Sequence, residues 1–222
     1  MREERRIPMT EKELNGVTFD WSETLEVLCS NGFSQFLSHR TEMEFDKWYQ
    51  TIGNEVVENI AFYWGASKLV IVDEDNDWVL KIPFCDKSRD YCAVEAENYK
   101  KAVEAGVEEP FAACYFLMEY EGAPCYVMEK INCDEQAIES DFYEIGSDKL
   151  SGQMSEDEIS DYLGSMDTDE ILDQLLEFYY EAGFLQKINA FLSVNSINDL
   201  HTGNLGYRGD KLVFVDYSGY YS

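Results

Sequence analysis

The chain has few basic residues: 17 Lys and Arg stand against 45 Asp and Glu in 222 residues, a formal net charge of −28. Because binding to nucleic acid and to anionic membranes depends on Lys and Arg, this balance predicts that the protein binds neither directly. Solubility is the simplest consequence of such a charge. A surface that imitates nucleic acid, or one that binds a basic protein partner, is the alternative.

Histidine is also scarce, with only His39 and His201, and none of the six cysteines forms a C-x-x-C pair. No familiar zinc spacing can therefore be assembled, and free thiols in a reducing cytosol are the economical interpretation. No apolar run approaches the roughly 20 residues of a membrane span, and residues 1–15 lack the apolar core of a signal peptide. These absences predict a soluble, cytoplasmic protein.

The chain does have the composition of a globular protein, with 45% apolar and 14% aromatic residues. This content argues against disorder, and the length fits one two-lobed domain. We divide the chain into a mostly helical N-terminal extension (1–59), a first lobe (60–131) and a second lobe (132–222). The extension has no functional interpretation; it either packs on the domain or restrains the site.

Short apolar runs separated by turns in residues 60–131 indicate an antiparallel sheet. The predicted order is three strands, one helix and two strands, over 60–64, 68–72, 78–83, 90–105, 113–120 and 125–130. The second lobe is predicted to contain helices near 134–143, 169–182 and 184–193, an acidic loop around 146–155, and short strands over 205–207 and 212–215. The sequence thus predicts an α+β fold with a five-stranded antiparallel sheet and one helix in the first lobe.

The most specific pattern is Asn198-Asp199-Leu200-His201-Thr202-Gly203-Asn204, followed by an apolar strand that ends in Asp216. An Asp, an Asn five positions later and an Asp at the end of the next strand are typical of phosphoryl transfer. Asp199 would face the attacking hydroxyl, while Asn204 and Asp216 supply the oxygen atoms that Mg²⁺ prefers. Taken alone, Asp-x-x-x-x-Asn is a weak pattern that also fits a polar turn.

The upstream strand and helix contain the other half of this pattern. Lys81 stands late in an apolar strand, as in the Val-Ala-Ile-Lys strand of protein kinases. Glu95 lies in the following helix with nonpolar or aromatic residues four and seven positions later, whereas the residues at those spacings from Glu97 are charged. The helical period therefore predicts that Glu95 points towards Lys81 and that Glu97 faces solvent. An exposed strand lysine is the alternative for Lys81.

Two further segments fall where a nucleotide would bind, although neither is specific. Gly65-Ala66-Ser67-Lys68 occupies the place of a glycine-rich phosphate loop but has one glycine, so Gly65, Ser67 and Lys68 equally fit a plain hairpin. Met128-Glu129-Lys130-Ile131 follows the fifth strand, where backbone groups would bind adenine. Glu129 and Ile131 are the candidates there, and the Glu129 side chain is better explained as structural.

Together these residues resemble the protein-kinase-like fold over about residues 60–216. The Asp-Leu-His-x-Gly-Asn loop is most similar to that of aminoglycoside and choline phosphotransferases, and to short kinase-like proteins of bacteria and their phages. The resemblance implies ATP in a cleft between two lobes, with Mg²⁺, and transfer of phosphate to an unknown small-molecule or protein acceptor. It implies that Lys81 binds the α- and β-phosphates and that Glu95 holds Lys81.

The chain also departs from that family. Ile197 replaces the histidine two residues before the catalytic aspartate, and Gly219 follows Asp216 at the third rather than the second position. The chain ends six residues after Asp216, so the expected helical lobe is abbreviated and a peptide substrate is less expected. Three alternatives stay open: a pseudokinase that binds nucleotide or a partner, transfer of AMP by the same site, and an acidic decoy that imitates nucleic acid.

Overall fold

The computed structural model describes residues 11–14, 17–52, 59–87 and 89–219, which form an α+β fold. The chain divides into two compact units, the first drawn from residues 1–96 and 114–130 and the second from residues 97–113 and 131–222. No helix in the described ranges is long and apolar enough to cross a bilayer.

The first unit contains a five-stranded antiparallel sheet in the order β3-β4-β5-β7-β6, and a separate antiparallel hairpin of β1 and β2. The strands are β1 (Glu11–Leu14), β2 (Val17–Asp20), β3 (Ile60–Trp64), β4 (Lys68–Asp73), β5 (Trp78–Pro83), β6 (Cys114–Tyr120) and β7 (Ala123–Glu129). The helices are α1 (Ser22–Ser30), α2 (Phe33–His39), α3 (Glu42–Ile52) and α4 (Tyr91–Ala105), of which residues up to Ala96 belong to this unit.

The period of two along each strand gives the five-stranded sheet two different faces. Leu69 pairs with Ile82 and Ile71 with Leu80, and all four side chains are fully buried on one face. The apolar side chains of α1, α2 and α3 belong to the same core, where Phe45 and Trp48 contact Phe62 of the edge strand β3. The N-terminal extension therefore packs on the sheet, which is one of the two arrangements its sequence left open.

The predicted five-stranded antiparallel sheet and the helix between its third and fourth strands are confirmed, with small differences at the ends of the elements. The helices of the N-terminal extension are also present as α1–α3. The hairpin of β1 and β2 was not predicted. Residues 53–58, which the sequence assigned to the helical extension, lie outside the described residues.

The second unit contains the remainder of α4 and four further helices among its described residues: α5 (Glu135–Leu150), α6 (Glu156–Gly164), α7 (Thr168–Tyr179) and α8 (Ala182–Val194). A two-stranded hairpin follows, formed by β8 (Leu205–Arg208) and β9 (Lys211–Phe214). A short 3-10 helix over Thr202–Asn204 leads into β8.

The acidic loop predicted around 146–155 is wrong over residues 146–150, which belong to α5, whereas residues 151–155 form the connection between α5 and α6. Helix α5 continues through Gly146 to Leu150, and Gly146 is a buried packing position: a Cβ there would collide with Leu163 of α6. Ser155 then starts α6 with a capping box, its hydroxyl accepting from the Glu158 N–H while Glu158 accepts from the Ser155 N–H. In the sequence, Gly146 and the serines around it indicated a loop. In the structure, Gly146 allows α5 and α6 to pack closely, and Ser155 caps the start of α6.

The hairpin of β8 and β9 is fixed within the second unit by its backbone. The Phe214 N–H donates to the Pro110 carbonyl at 2.7 Å, and the Ala112 N–H donates to the Phe214 carbonyl at 2.9 Å. Phe111 packs against Phe214 and Tyr217 with ring centroids 5.3 and 5.1 Å away. These contacts hold the hairpin whose open end bears the predicted metal ligands.

Candidate functional site

Glu95 is the centre of a buried group in the first unit that we call the lysine–glutamate cluster: Lys68, Lys81 and Glu95. The Glu95 side chain is fully buried, and its Oε2 accepts a hydrogen bond from Lys81 Nζ at 2.7 Å. Its Oε1 accepts from Lys68 Nζ. Lys81 is 4% exposed and Lys68 is 8% exposed, whereas Glu97 faces solvent. Glu95, and not Glu97, therefore reaches Lys81.

The strand register explains why two lysines meet one carboxylate. Lys81 of β5 pairs with Val70 of β4, and Lys68 lies two residues from Val70 on the same strand. Side chains two residues apart share a face, so Lys68 and Lys81 both project from the face opposite the one that α1–α3 cover.

Asp90 caps the start of α4, the helix that carries Glu95. Its Oδ1 accepts from the Ala93 N–H at 2.9 Å, the usual bond of an N-cap residue. Its Oδ2 accepts from the Tyr126 hydroxyl at 2.9 Å, and Tyr126 pairs with Lys81 across β5 and β7. One carboxylate therefore links the helix that carries Glu95 to the strand beside Lys81.

Cys92 lies one helical turn before Glu95 and is fully buried. Burial raises the pKa of the Cys92 thiol well above its usual range, and the Glu95 carboxylate acts in the same direction. The thiol therefore stays neutral and adds no charge to the lysine–glutamate cluster.

The segment compared with a phosphate loop is a tight hairpin turn between β3 and β4. The Gly65 N–H donates to the Lys68 carbonyl at 3.3 Å, and the Ser67 carbonyl accepts from the Phe84 N–H at 2.9 Å. Gly65 is exposed, with room for a Cβ, so its place does not require glycine. Lys68 is the first residue of β4 and lies with Glu95, a partner that the sequence did not predict.

The second unit brings together three of the predicted residues, which we call the aspartate set: Asp199, Asn204 and Asp216. Asn204 is buried, and its Nδ2 donates to the Asp199 carbonyl at 2.7 Å. The Val215 N–H donates to the Asn204 carbonyl at 2.9 Å, which extends the β8–β9 ladder by one pair. Asn204 therefore lies beside the residue that precedes Asp216, at the open end of the hairpin.

The segment that follows Asp216 is held in place by Asn98 and Tyr217. The Tyr217 carbonyl accepts from Asn98 Nδ2 at 2.9 Å, and the Tyr217 hydroxyl donates to the Ala112 carbonyl at 2.6 Å. The Ser218 hydroxyl donates to Asp216 Oδ1 at 3.2 Å. Asn98 was not predicted from the sequence. The one feature that could have indicated it is an amide side chain one helical turn after Glu95 on the same helix.

The structure explains why the third residue after Asp216 is a glycine, Gly219. Its φ is +68°, and a Cβ at this position would collide with the Ser196 carbonyl oxygen. Glycine alone adopts this conformation without strain and allows the close approach. The chain after Asp216 thereby lies against residues 196–198, directly before Asp199.

His201 stabilises the same loop through a local hydrogen bond. It is exposed, and its Nδ1 accepts from the Gly203 N–H at 3.1 Å, which caps the 3-10 helix before β8. The histidine therefore stabilises the turn between Asp199 and Asn204.

The aspartate set offers hard oxygen donors. Because Asn204 uses its amide nitrogen to bind the Asp199 carbonyl, its amide oxygen is the donor atom that it can offer to a cation. Mg²⁺ is usually bound by one or two protein carboxylates together with water and substrate phosphates. Across the part of the chain that the structure describes, no group of three or more His, Cys, Asp or Glu residues could hold a metal.

The two residues predicted to lie near adenine have different surroundings. Glu129 ends β7, where it pairs with Trp78, and the N–H of the following Lys130 donates to the Asp77 carbonyl at 3.0 Å. That backbone donor is therefore occupied within the first unit. Ile131 belongs to the second unit, where Gly206 approaches it so closely that a Cβ would collide with its side chain.

Comparison with known proteins found no matching family model, no similar curated protein and no similar solved structure. The kinase-like resemblance therefore depends on the residues of this chain alone.

Proposed function

We propose that this chain is an ATP-dependent phosphotransferase that requires Mg²⁺ and has an abbreviated, two-lobed protein-kinase-like fold. The observation that carries the proposal is the Lys81–Glu95 pair, bonded at 2.7 Å with both side chains buried. Taking two charges out of water costs several kcal/mol per ion, and well-packed apolar residues are often as stabilising. A buried pair on a strand and a helix is therefore better explained by a function than by stability.

In this proposal Lys81 binds the α- and β-phosphates, and Glu95 holds its side chain in the required position. Lys68 shares the Glu95 carboxylate and would supply a second positive charge to the phosphates. Gly65 and Ser67, in the turn before Lys68, would lie beside the nucleotide, with Glu129 and Ile131 near adenine.

The aspartate set supports the chemical half of the proposal. Asn204 and Asp216 would hold Mg²⁺, which when bound neutralises charge on the phosphates. Asp199 would orient the acceptor hydroxyl and take its proton. Positioning and charge neutralisation would account for most of the rate, because the loose transition state of phosphoryl transfer requires little covalent chemistry.

Titration calorimetry with MgATP tests the binding half of this proposal. Lys81→Met should weaken binding by about tenfold or more, because a charge-assisted contact to phosphate is lost. Lys100→Met is the matched control, since Lys100 is exposed on α4, and it should bind as the wild type does. Equal affinity in the wild type and Lys81→Met, or no binding of MgATP by the wild type, would contradict the proposal.

The net charge of −28 favours a second candidate, an acidic decoy for a basic DNA-binding protein. A decoy would bind such a protein with an affinity that falls steeply with salt, and Lys81→Met would leave that affinity unchanged. If no basic DNA-binding protein bound this chain with an affinity that falls with salt, the decoy function would be excluded. The net charge would then be a general property of the protein surface.

A further inference from the structure

A shallow pocket of about 580 Å³ lies in the second unit beside the turn of the β8–β9 hairpin. Three aromatic residues, two carboxylates and a lysine line it: Phe178, Tyr179, Tyr207, Asp141, Asp210 and Lys211. Asn204 and Asp216 lie at the other end of the same hairpin. Each strand has four residues, which corresponds to about 13 Å, so the pocket is separate from the aspartate set.

Two tyrosines fix the carboxylate of Asp141 in the wall of this pocket. The hydroxyls of Tyr179 and Tyr207 both donate to Asp141 Oδ2, at 2.7 and 2.5 Å. Burial, followed by the hydrogen bond to Asp141, raises the pKa of Tyr179 to about 12, so its hydroxyl stays a donor at neutral pH. Two donated hydrogen bonds hold this carboxylate in one orientation.

The aromatic wall is continuous and partly open to solvent. Phe178 is 59% exposed, and its ring centroid is 5.2 Å from that of Tyr179, which is 6.2 Å from that of Tyr207. The negative faces of aromatic rings attract cations, with an energy of about 0.5–1 kcal/mol at exposed sites and more where water is excluded. Rings beside a fixed carboxylate therefore favour a positively charged ligand.

Lys211 does not reverse this preference, because its charge is already offset. Its Nζ lies 3.6 Å from a carboxylate oxygen of Glu109 and 5.8 Å from the ring centroid of Tyr180. Asp141 and Asp210 then determine the charge of the pocket, in a protein whose net charge of −28 repels anions.

We propose that this pocket binds an organic cation, with a guanidinium or alkylammonium group between the aromatic rings and the Asp141 carboxylate. Its volume is within the range of about 300–1,000 Å³ typical of small-molecule sites. The same group occurs in free amines and in the Arg and Lys side chains of a basic polypeptide. The proposal does not depend on phosphoryl transfer, since it uses none of the residues assigned to that reaction.

The test is a calorimetric titration of the full chain with agmatine, with tetramethylammonium and with a short Arg-containing peptide at physiological salt. Asp141→Asn and Phe178→Ala should each weaken binding by about tenfold, since they remove the charge and an aromatic ring. Phe178→Ala changes an exposed side chain, so it keeps the test valid if Asp141→Asn impairs folding. Asp161→Asn and Tyr162→Ala on the exposed face of α6 are the controls and should leave affinity unchanged.

The two sources of the cation give different results. If agmatine binds as tightly as the peptide, the ligand of the pocket is a free amine. If the peptide binds clearly more tightly than agmatine, the ligand is a basic polypeptide. Binding that is absent for all three probes at millimolar concentration would overturn the proposal. An equal loss of affinity in the α6 controls would also overturn it, because it would indicate general attraction of cations to an acidic surface.

Discussion

The lysine–glutamate cluster and the aspartate set are built in different ways. In the cluster the charged side chains bind one another directly, all three are buried, and they project from two strands and a helix. In the aspartate set the structure is held through the backbone: Asn204 binds the Asp199 carbonyl, and Asp199 and Asp216 are only half-buried. A change in the cluster should therefore affect folding and function together, whereas a change in Asp199 should affect function alone.

Glu95→Ala should give the largest effect on stability. It leaves two buried lysines without the carboxylate that binds both of them, and breaking a buried pair in this way costs about 3–5 kcal/mol of unfolding free energy. Urea denaturation followed by tryptophan fluorescence measures the loss. Glu97→Ala, on the exposed side of the same helix, should stay within about 0.5 kcal/mol of the wild type. Similar values for the two variants would show that the cluster is not a structural centre.

Asp199→Ala should separate function from folding. The proposed proton acceptor is lost, so turnover should fall roughly 10²- to 10⁴-fold, while MgATP binding and the unfolding free energy stay near wild-type values. Turnover is measured with labelled ATP, and Asp161→Ala on α6 is the control for loss of one carboxylate. Unchanged turnover in Asp199→Ala would refute the assignment of this residue.

Gly219→Ala tests whether the backbone positions the aspartate set. A positive φ and a collision with the Ser196 carbonyl should cost about 1–3 kcal/mol, and turnover should fall because the segment after Asp216 moves. Gly183→Ala is the matched control, since a Cβ there meets no atom within 4 Å and α8 gains a better helix former. Equal stability of the two variants would show that the backbone after Asp216 does not require glycine at position 219.

Asp90→Ala should have the smallest effect. It removes the cap of α4 and one partner of the Tyr126 hydroxyl, and loss of a cap costs about 0.5–2 kcal/mol. Asp90→Asn retains a capping oxygen and should recover part of the loss in a thermal unfolding experiment. If Asp90→Ala also weakens MgATP binding, the cap at the start of α4 helps to position Glu95. If MgATP binding is unchanged, Asp90 contributes only to the stability of the fold.

The five-stranded sheet and the contact between Glu95 and Lys81 could be predicted because each has a local signal in the sequence. Strand alternation and turns predicted the five strands, and the helical period predicted that Glu95 faces Lys81. The spacing of Asp199, Asn204 and Asp216 indicated phosphoryl transfer, which stays a prediction. The role of Lys68 could not be predicted, because it depends on the register of β4 against β5, which is a property of pairing between strands. Sequence likewise gave no signal for Gly146 as a helix-packing position, since packing against α6 depends on tertiary structure.

The pocket at the hairpin turn shows the same limit. Asp141 lies 38 residues from Tyr179 and 66 residues from Tyr207, and only the fold brings the three side chains together. Tyrosine and aspartate are common on surfaces, so no spacing in the chain marks them as a site.

The most direct test of the proposed phosphotransferase activity is incubation of the wild type and Asp199→Ala with Mg²⁺ and ATP labelled at either the γ- or the α-phosphate, alone and with a panel of small hydroxyl compounds. We predict that label from the γ-phosphate is transferred by the wild type and not by Asp199→Ala. Transfer of label from the α-phosphate would instead indicate AMP transfer, and binding of ATP without any transfer would indicate a pseudokinase. Either of these two results would contradict the proposed function.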